Sequence, residues 1–111
     1  MPPTLAEIMA HLPDAFFPER AGDVSAVIHF KFTGAEPGEW NATLRDGRCE
    51  VAQGIPRQRP TITMTADSAD FLRIAVGALD PATAFMQGRI KLQGEKELAL
   101  KLLPLFRLGR V

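Results

Sequence analysis

The sequence has a single cysteine, no tyrosine and no excess of either charge. Cys49 has no second cysteine to pair with, which excludes an internal disulfide and favours a reducing, cytoplasmic setting. Lysine and arginine number 13, as do aspartate and glutamate, which argues against a nucleic-acid binder because such proteins need a basic face. No apolar run approaches the roughly 20 residues of a membrane-spanning helix, and the opening "MPPTLAEIM" lacks the features of a secretory signal.

Motifs for catalysis and for metal binding are also missing. The sequence contains no P-loop, GxGxxG or GxSxG pattern, and His11, His29 and Cys49 lack the spacing of a zinc site. Both histidines are interpreted as solvated, His29 because it faces away from the predicted core, and Cys49 as a small buried hydrophobe. We therefore expect no catalytic residue, metal or cofactor, with a cysteine–histidine nucleophile pair as the enzymatic alternative.

The residues that are present predict one α+β domain spanning 1–111. Hydrophobic residues make up 46% of the chain, an ordinary value for a globular protein. Apolar and polar residues alternate in "VSAVIHFKFT", "EWNATLR", "RCEVAQG", "TITMT" and "RIKLQ", which predicts five strands. "DG" at Asp46 and Gly47 predicts a hairpin between the second and third strands. These patterns indicate a five-stranded, mainly antiparallel sheet with helices covering one face, and leave open the direction in which the fifth strand pairs.

Four segments are typical of helices: "TLAEIMAHL", "DSADFLRIAVG", "DPATAFMQG" and "EKELALKLLPLFRL". The second is predicted to bury Phe71, Leu72, Ala75 and Val76, with Ile74 alongside. The last is apolar over a wider arc than a core-facing stripe requires. That arc is interpreted as packing against both the sheet and a neighbouring helix, or alternatively as part of the wall or lid of a ligand cavity.

The order of these motifs resembles the sterol carrier protein 2 (SCP-2) lipid-binding family. The resemblance rests on "VIHFKFTG", "GEW", the "DG" hairpin and the long stretch "TITMTADSADFLRIAVGALDPATAFMQGRIKLQGEKELALKL", and it covers nearly the whole chain. It implies a hydrophobic tunnel between sheet and helices that binds fatty acids, fatty acyl-CoA or sterol-like lipids without chemistry. The chain ends in "LGRV", so the Ser-Lys-Leu peroxisomal address of some family members is absent.

The resemblance also implies which apolar side chains line the tunnel, two of them methionines and therefore adaptable. They are Phe30, Phe32, Trp40, Leu44, Met64, Phe71, Leu72, Phe85, Met86, Ile90, Leu92, Leu98, Leu102 and Phe106.

The expected partner is a hydrophobic small molecule, a lipid or acyl chain. Transient membrane contact is a weaker hypothesis, based on Lys101 and Arg107 beside Leu105 and Phe106. The segment "GIPRQRP" is interpreted as a solvated loop, with contact between its two arginines and an acidic head group as the alternative. A protein-interaction or dimerisation module, and an accessory domain that presents lipids to an enzyme, are the other functions considered; the oligomeric state is left open.

Overall fold

The computed structural model describes residues 4–16, 19, 24–95 and 97. The helices are α1 (Leu5–His11), which a 3-10 helix (Leu12–Ala15) extends, α2 (Ser68–Ala75) and α3 (Pro81–Met86). The strands are β1 (Ala26–Thr33), β2 (Gly38–Arg45), β3 (Arg48–Gln53), β4 (Ile62–Asp67) and β5 (Ile90–Gly94). Most of the predicted terminal helix, including Leu98, Leu102 and Phe106, lies outside the described residues.

The five strands form one sheet in the order β3-β2-β1-β4-β5. Every neighbouring pair is antiparallel except β1 and β4, which run parallel. The predicted α+β fold with a mainly antiparallel sheet is confirmed. The direction of the fifth strand, which the sequence left open, is antiparallel to β4.

Local sequence signals fix the turns and helix starts. Asp46 and Gly47 have φ values of 54° and 71°, the left-handed conformation that a two-residue hairpin turn requires. Thr4, Asp67 and Asp80 are the N-caps of α1, α2 and α3, and each side-chain oxygen accepts a hydrogen bond from a backbone N–H of the first turn. Each cap satisfies an amide that the helix itself leaves free.

One face of the sheet packs against the helices and forms the core, which we call the apolar layer. Alternate residues of the strands point into this layer, and α1, α2 and α3 supply the opposite side. The helices contribute Leu5, Met9, Phe71, Ile74 and Ala84, all of them buried. Within the described part of the chain, no helix is long and apolar enough to cross a membrane.

The predicted buried face of α2 needs one correction. Phe71 is buried as expected, but the other fully buried positions are Ser68 and Ile74. Val76 is 44% exposed because α2 ends at Ala75 and Val76 is its C-cap. Ser68, Phe71 and Ile74 are spaced three residues apart and therefore lie on the side of the helix that faces the sheet. Val76 does not fall on that side.

Residues 54–61, which we call the crossover loop, connect β3 to β4 across two intervening strands. The loop begins where the Gly54 N–H donates to the Glu39 carbonyl and ends where the Thr61 N–H donates to the Val27 carbonyl, both at 2.8 Å. From strand spacing and rise, these anchors lie about 14 Å apart across the sheet and about 13 Å apart along it. The seven Cα–Cα steps from Gly54 to Thr61 span at most about 23 Å when fully extended. The loop must therefore run nearly straight from one anchor to the other, diagonally across the sheet.

The crossover loop passes over the sheet face opposite the helices. On that face the Asn41 amide donates to the Gly54 carbonyl at 2.9 Å, and Val27 and His29 are buried although they point away from the apolar layer. The prediction that His29 is solvated was therefore wrong. The residue is only 7% exposed, and its Nε2 lies 3.6 Å from a carboxylate oxygen of Glu39, too far for a hydrogen bond.

Candidate functional site

Four of the predicted site residues form one row across the sheet. Phe30 on β1 lies opposite Trp40 on β2 and beside Met64 on β4, and Met64 lies opposite Leu92 on β5. Phe30 and Met64 are buried, while Trp40 and Leu92 at the two ends are partly buried against the apolar layer. The register thus brings four apolar side chains from four strands together.

A second row lies next to the first and contains two more predicted residues. Phe32 on β1 is flanked by Gly38 on β2 and by Ala66 on β4, and Ala66 lies opposite Ile90 on β5. The two residues beside Phe32 are small, and the Phe32 ring itself is buried. Leu44 is also buried but lies farther along β2, opposite Ala26.

Three phenylalanines join the sheet to α2. The rings of Phe30 and Phe32 stack with centroids 5.9 Å apart and planes 6° apart. Phe71 of α2 lies 5.0 Å from Phe32 in a tilted arrangement and 6.2 Å from Phe30 edge-to-face. Tilted and edge-to-face pairs are favourable because the positive ring edge meets the negative face.

Three predicted residues on the helices lie at or near the surface. Leu72 of α2 is partly exposed, whereas Phe85 and Met86 of α3 are 46% and 85% exposed. The structure therefore does not bring Phe85 and Met86 into the buried rows, although Ala84 beside them is buried in the core.

The predicted site residues leave out several members of the apolar layer. Ile28, Ile62 and Ala66 share the inward face of the strands, and Met9 and Ile74 are fully covered from the helix side. The period of two in "VIHF" and "TITMT" places Ile28 and Ile62 on this face. No comparable sequence pattern predicts where α1 packs, because a short helix can pack at many places on a sheet.

The site offers apolar contact and little reactive chemistry. Cys49 is partly buried, and desolvation, with a smaller contribution from Glu50, raises the pKa of its thiol from 9.0 to about 11. A thiol with so high a pKa is a poor nucleophile at neutral pH. Among the residues that the structure describes, no group of histidine, cysteine, aspartate or glutamate side chains is placed to hold a metal ion. A polar depression lined by Thr43, Arg45, Asp46, Arg48 and Glu50 lies on the β2–β3 hairpin, away from the apolar layer.

The structure is similar to several solved proteins of the same fold. The crystal structure of sterol carrier protein 2 like 2 from Aedes aegypti has a TM-score of 0.73 and 28% identity, and 92% of each chain is covered. The solution structure of palmitated SCP2L2 from the same organism has a TM-score of 0.71 and 29% identity, covering 88% of this chain and 86% of that one. A sec-alkylsulfatase from Pseudomonas, at 22% identity and a TM-score of 0.78, shares the fold over 94% of this chain and 16% of its own.

Similar curated proteins include hydroxysteroid dehydrogenase-like protein 2 from Xenopus tropicalis, which is 34% identical over 84 residues. This match covers 76% of the present chain and 20% of that protein, so the chain spans about a fifth of the length of the curated relatives it matches. The model of the SCP-2 sterol transfer family matches residues 5–107. The chain therefore belongs to the SCP-2 sterol transfer family.

Proposed function

We propose that this domain binds the hydrocarbon part of a lipid in the apolar layer, without chemical change to the ligand. Fatty acids, fatty acyl-CoA and sterol-like lipids are the ligand classes proposed. The observation that carries the proposal is the pair of adjacent rows on the sheet, together with Phe71 above them. The Aedes aegypti relative described as palmitated supports an acyl chain as ligand.

Burial of apolar surface supplies the driving force. A tail that buries about 300 Å² gains roughly 7 kcal/mol at 25 cal/mol per Å², before the costs of association and ordering. One methylene more or less changes binding by only about 1–3 kcal/mol. We therefore propose a broad ligand range, with chain length discriminated weakly.

The same site would suit an accessory domain that presents lipids to an enzyme. The longer hydroxysteroid dehydrogenase-like relatives favour this role, because a domain like this one makes up about a fifth of their length. Phe85 and Met86, exposed beside the buried Ala84, are proposed contacts for the part of the ligand that extends out of the layer. Leu98, Leu102 and Phe106 remain proposed ligand contacts from the sequence.

Adjacent residues of β5 provide the test. Leu92 faces the apolar layer and is partly buried, whereas Lys91 points to the opposite face and is exposed. Leu92→Gln places an amide against the ligand, at a cost of about 1–3 kcal/mol on mutational scales. It should weaken binding of a fluorescent fatty acid by about 5-fold to 150-fold. Lys91→Gln is the matched control and should bind like the parent.

Titration of the two variants, with native mass spectrometry of the parent as purified, distinguishes the alternatives. Saturable binding that Leu92→Gln weakens and Lys91→Gln does not supports lipid binding. A ligand-free oligomer that binds no fatty acid at any concentration would contradict the proposal and favour the dimerisation module.

A further inference from the structure

The crossover loop displays one apolar side chain followed by two basic ones. Ile55 is 69% exposed, and Arg57 and Arg59 are exposed as well. From Val51 to Ala66 the sequence contains no aspartate or glutamate. Within the described ranges, neither guanidinium forms an ion pair with a carboxylate. From this arrangement we propose that the crossover loop docks the protein on an anionic phospholipid membrane.

The loop is held in place at both ends. Gly54 is bonded through its N–H to β2 and through its carbonyl to the Asn41 amide. Thr61 donates its N–H to the Val27 carbonyl, and its hydroxyl accepts from the Val27 N–H at 3.1 Å. Prolines 56 and 60 restrict the backbone between these anchors. Binding therefore orders little additional backbone, and entropy opposes docking weakly.

The exposed side chains match an anionic interface in two ways. Each arginine guanidinium can donate two hydrogen bonds to phosphate oxygens. A basic residue near an anionic bilayer raises binding affinity about fivefold. Two arginines together should therefore contribute roughly 25-fold. Ile55 adds an apolar side chain that enters the boundary between head groups and acyl chains. Because the chain carries no net charge, this contact is local and reversible, and it goes beyond the proposed lipid-binding role.

Sedimentation with vesicles tests this docking. The parent is mixed with phosphatidylcholine vesicles that contain or lack phosphatidylserine, at low and high salt. The loop variant Arg57→Ala/Arg59→Ala is compared with Arg45→Ala/Arg48→Ala, which removes the same charge from two exposed arginines of the β2–β3 hairpin. Ile55→Ser tests insertion. Thermal melts test whether these surface variants fold like the parent.

The loop variant should lose roughly 25-fold in binding to the anionic vesicles, and Ile55→Ser should lose severalfold. The hairpin variant should stay within about threefold of the parent, because its arginines lie outside the contact. Equal losses from the two double variants would overturn the proposal, as would parent binding that does not depend on phosphatidylserine. Full binding by Ile55→Ser, or competition by soluble glycerophosphoserine, would overturn docking by insertion and indicate simple anion binding.

Discussion

Replacing Phe71 with alanine removes the ring that joins α2 to the sheet. The ring is buried and contacts both Phe30 and Phe32. Substitutions of this kind cost about 3–5 kcal/mol, including the cavity that remains. The two aromatic pairs, each worth about 0.5–1.5 kcal/mol, place Phe71→Ala in the upper part of that range. We expect a loss of about 4 kcal/mol in the free energy of unfolding, a large share of the roughly 5–15 kcal/mol typical of a domain.

Urea unfolding measures this loss directly. Trp40 is the single tryptophan and is partly buried against the same layer, so its fluorescence reports on the structure that Phe71 supports. Val76→Ala, at the exposed end of the same helix, is the control and should change stability by less than about 0.5 kcal/mol. A loss below about 1 kcal/mol for Phe71→Ala, at an unchanged denaturant slope, would mean that the ring is not packed between β1 and α2.

Two other buried positions give further predictions. His29→Leu should raise the free energy of unfolding by about 1 kcal/mol, because it removes a buried nitrogen without a hydrogen-bond partner whose burial costs about 1–3 kcal/mol. A lower melting temperature for this variant would contradict the cost assigned to that nitrogen. Cys49 should react with a thiol reagent at pH 8 about 100-fold more slowly in the folded protein than in urea, because a pKa raised from 9.0 to about 11 lowers the thiolate fraction by that factor. The folded thiol keeps its proton where the unfolded thiol loses it, so urea midpoints should fall as pH rises from 9 toward 11; equal reaction rates and flat midpoints would contradict the raised pKa.

Features encoded by neighbouring residues could be predicted from the sequence. The turn at Asp46 and Gly47 depends on those two residues, and the structure has it where it was expected. The helix caps at Asp67 and Asp80 likewise depend on one to four consecutive residues. The alternation of apolar and polar residues predicted which strand residues point inward, because this pattern also depends only on neighbouring residues. The rows of the site then follow from register, which that alternation constrains.

Features that depend on distant segments could not be predicted in this way. His29 has the pattern of an outward-facing polar residue, yet it is buried where the crossover loop passes over that face. The parallel pairing of β1 with β4 has no local signal, since it depends on the path of the whole connection. The apolar character of Phe85 and Met86 does not reveal that α3 exposes them.

The parallel pairing of β1 and β4 has a consequence for synthesis on the ribosome. The meander β1-β2-β3 needs only close neighbours in sequence and can form early. One side of β1 then stays unpaired until β4, which begins at Ile62, has been made. A nascent chain stopped between β3 and β4 would present an open, aromatic-rich strand edge to other chains. Chains truncated between β3 and β4 should aggregate. Slow translation of this segment would lengthen the time for which the open strand edge needs protection by a chaperone.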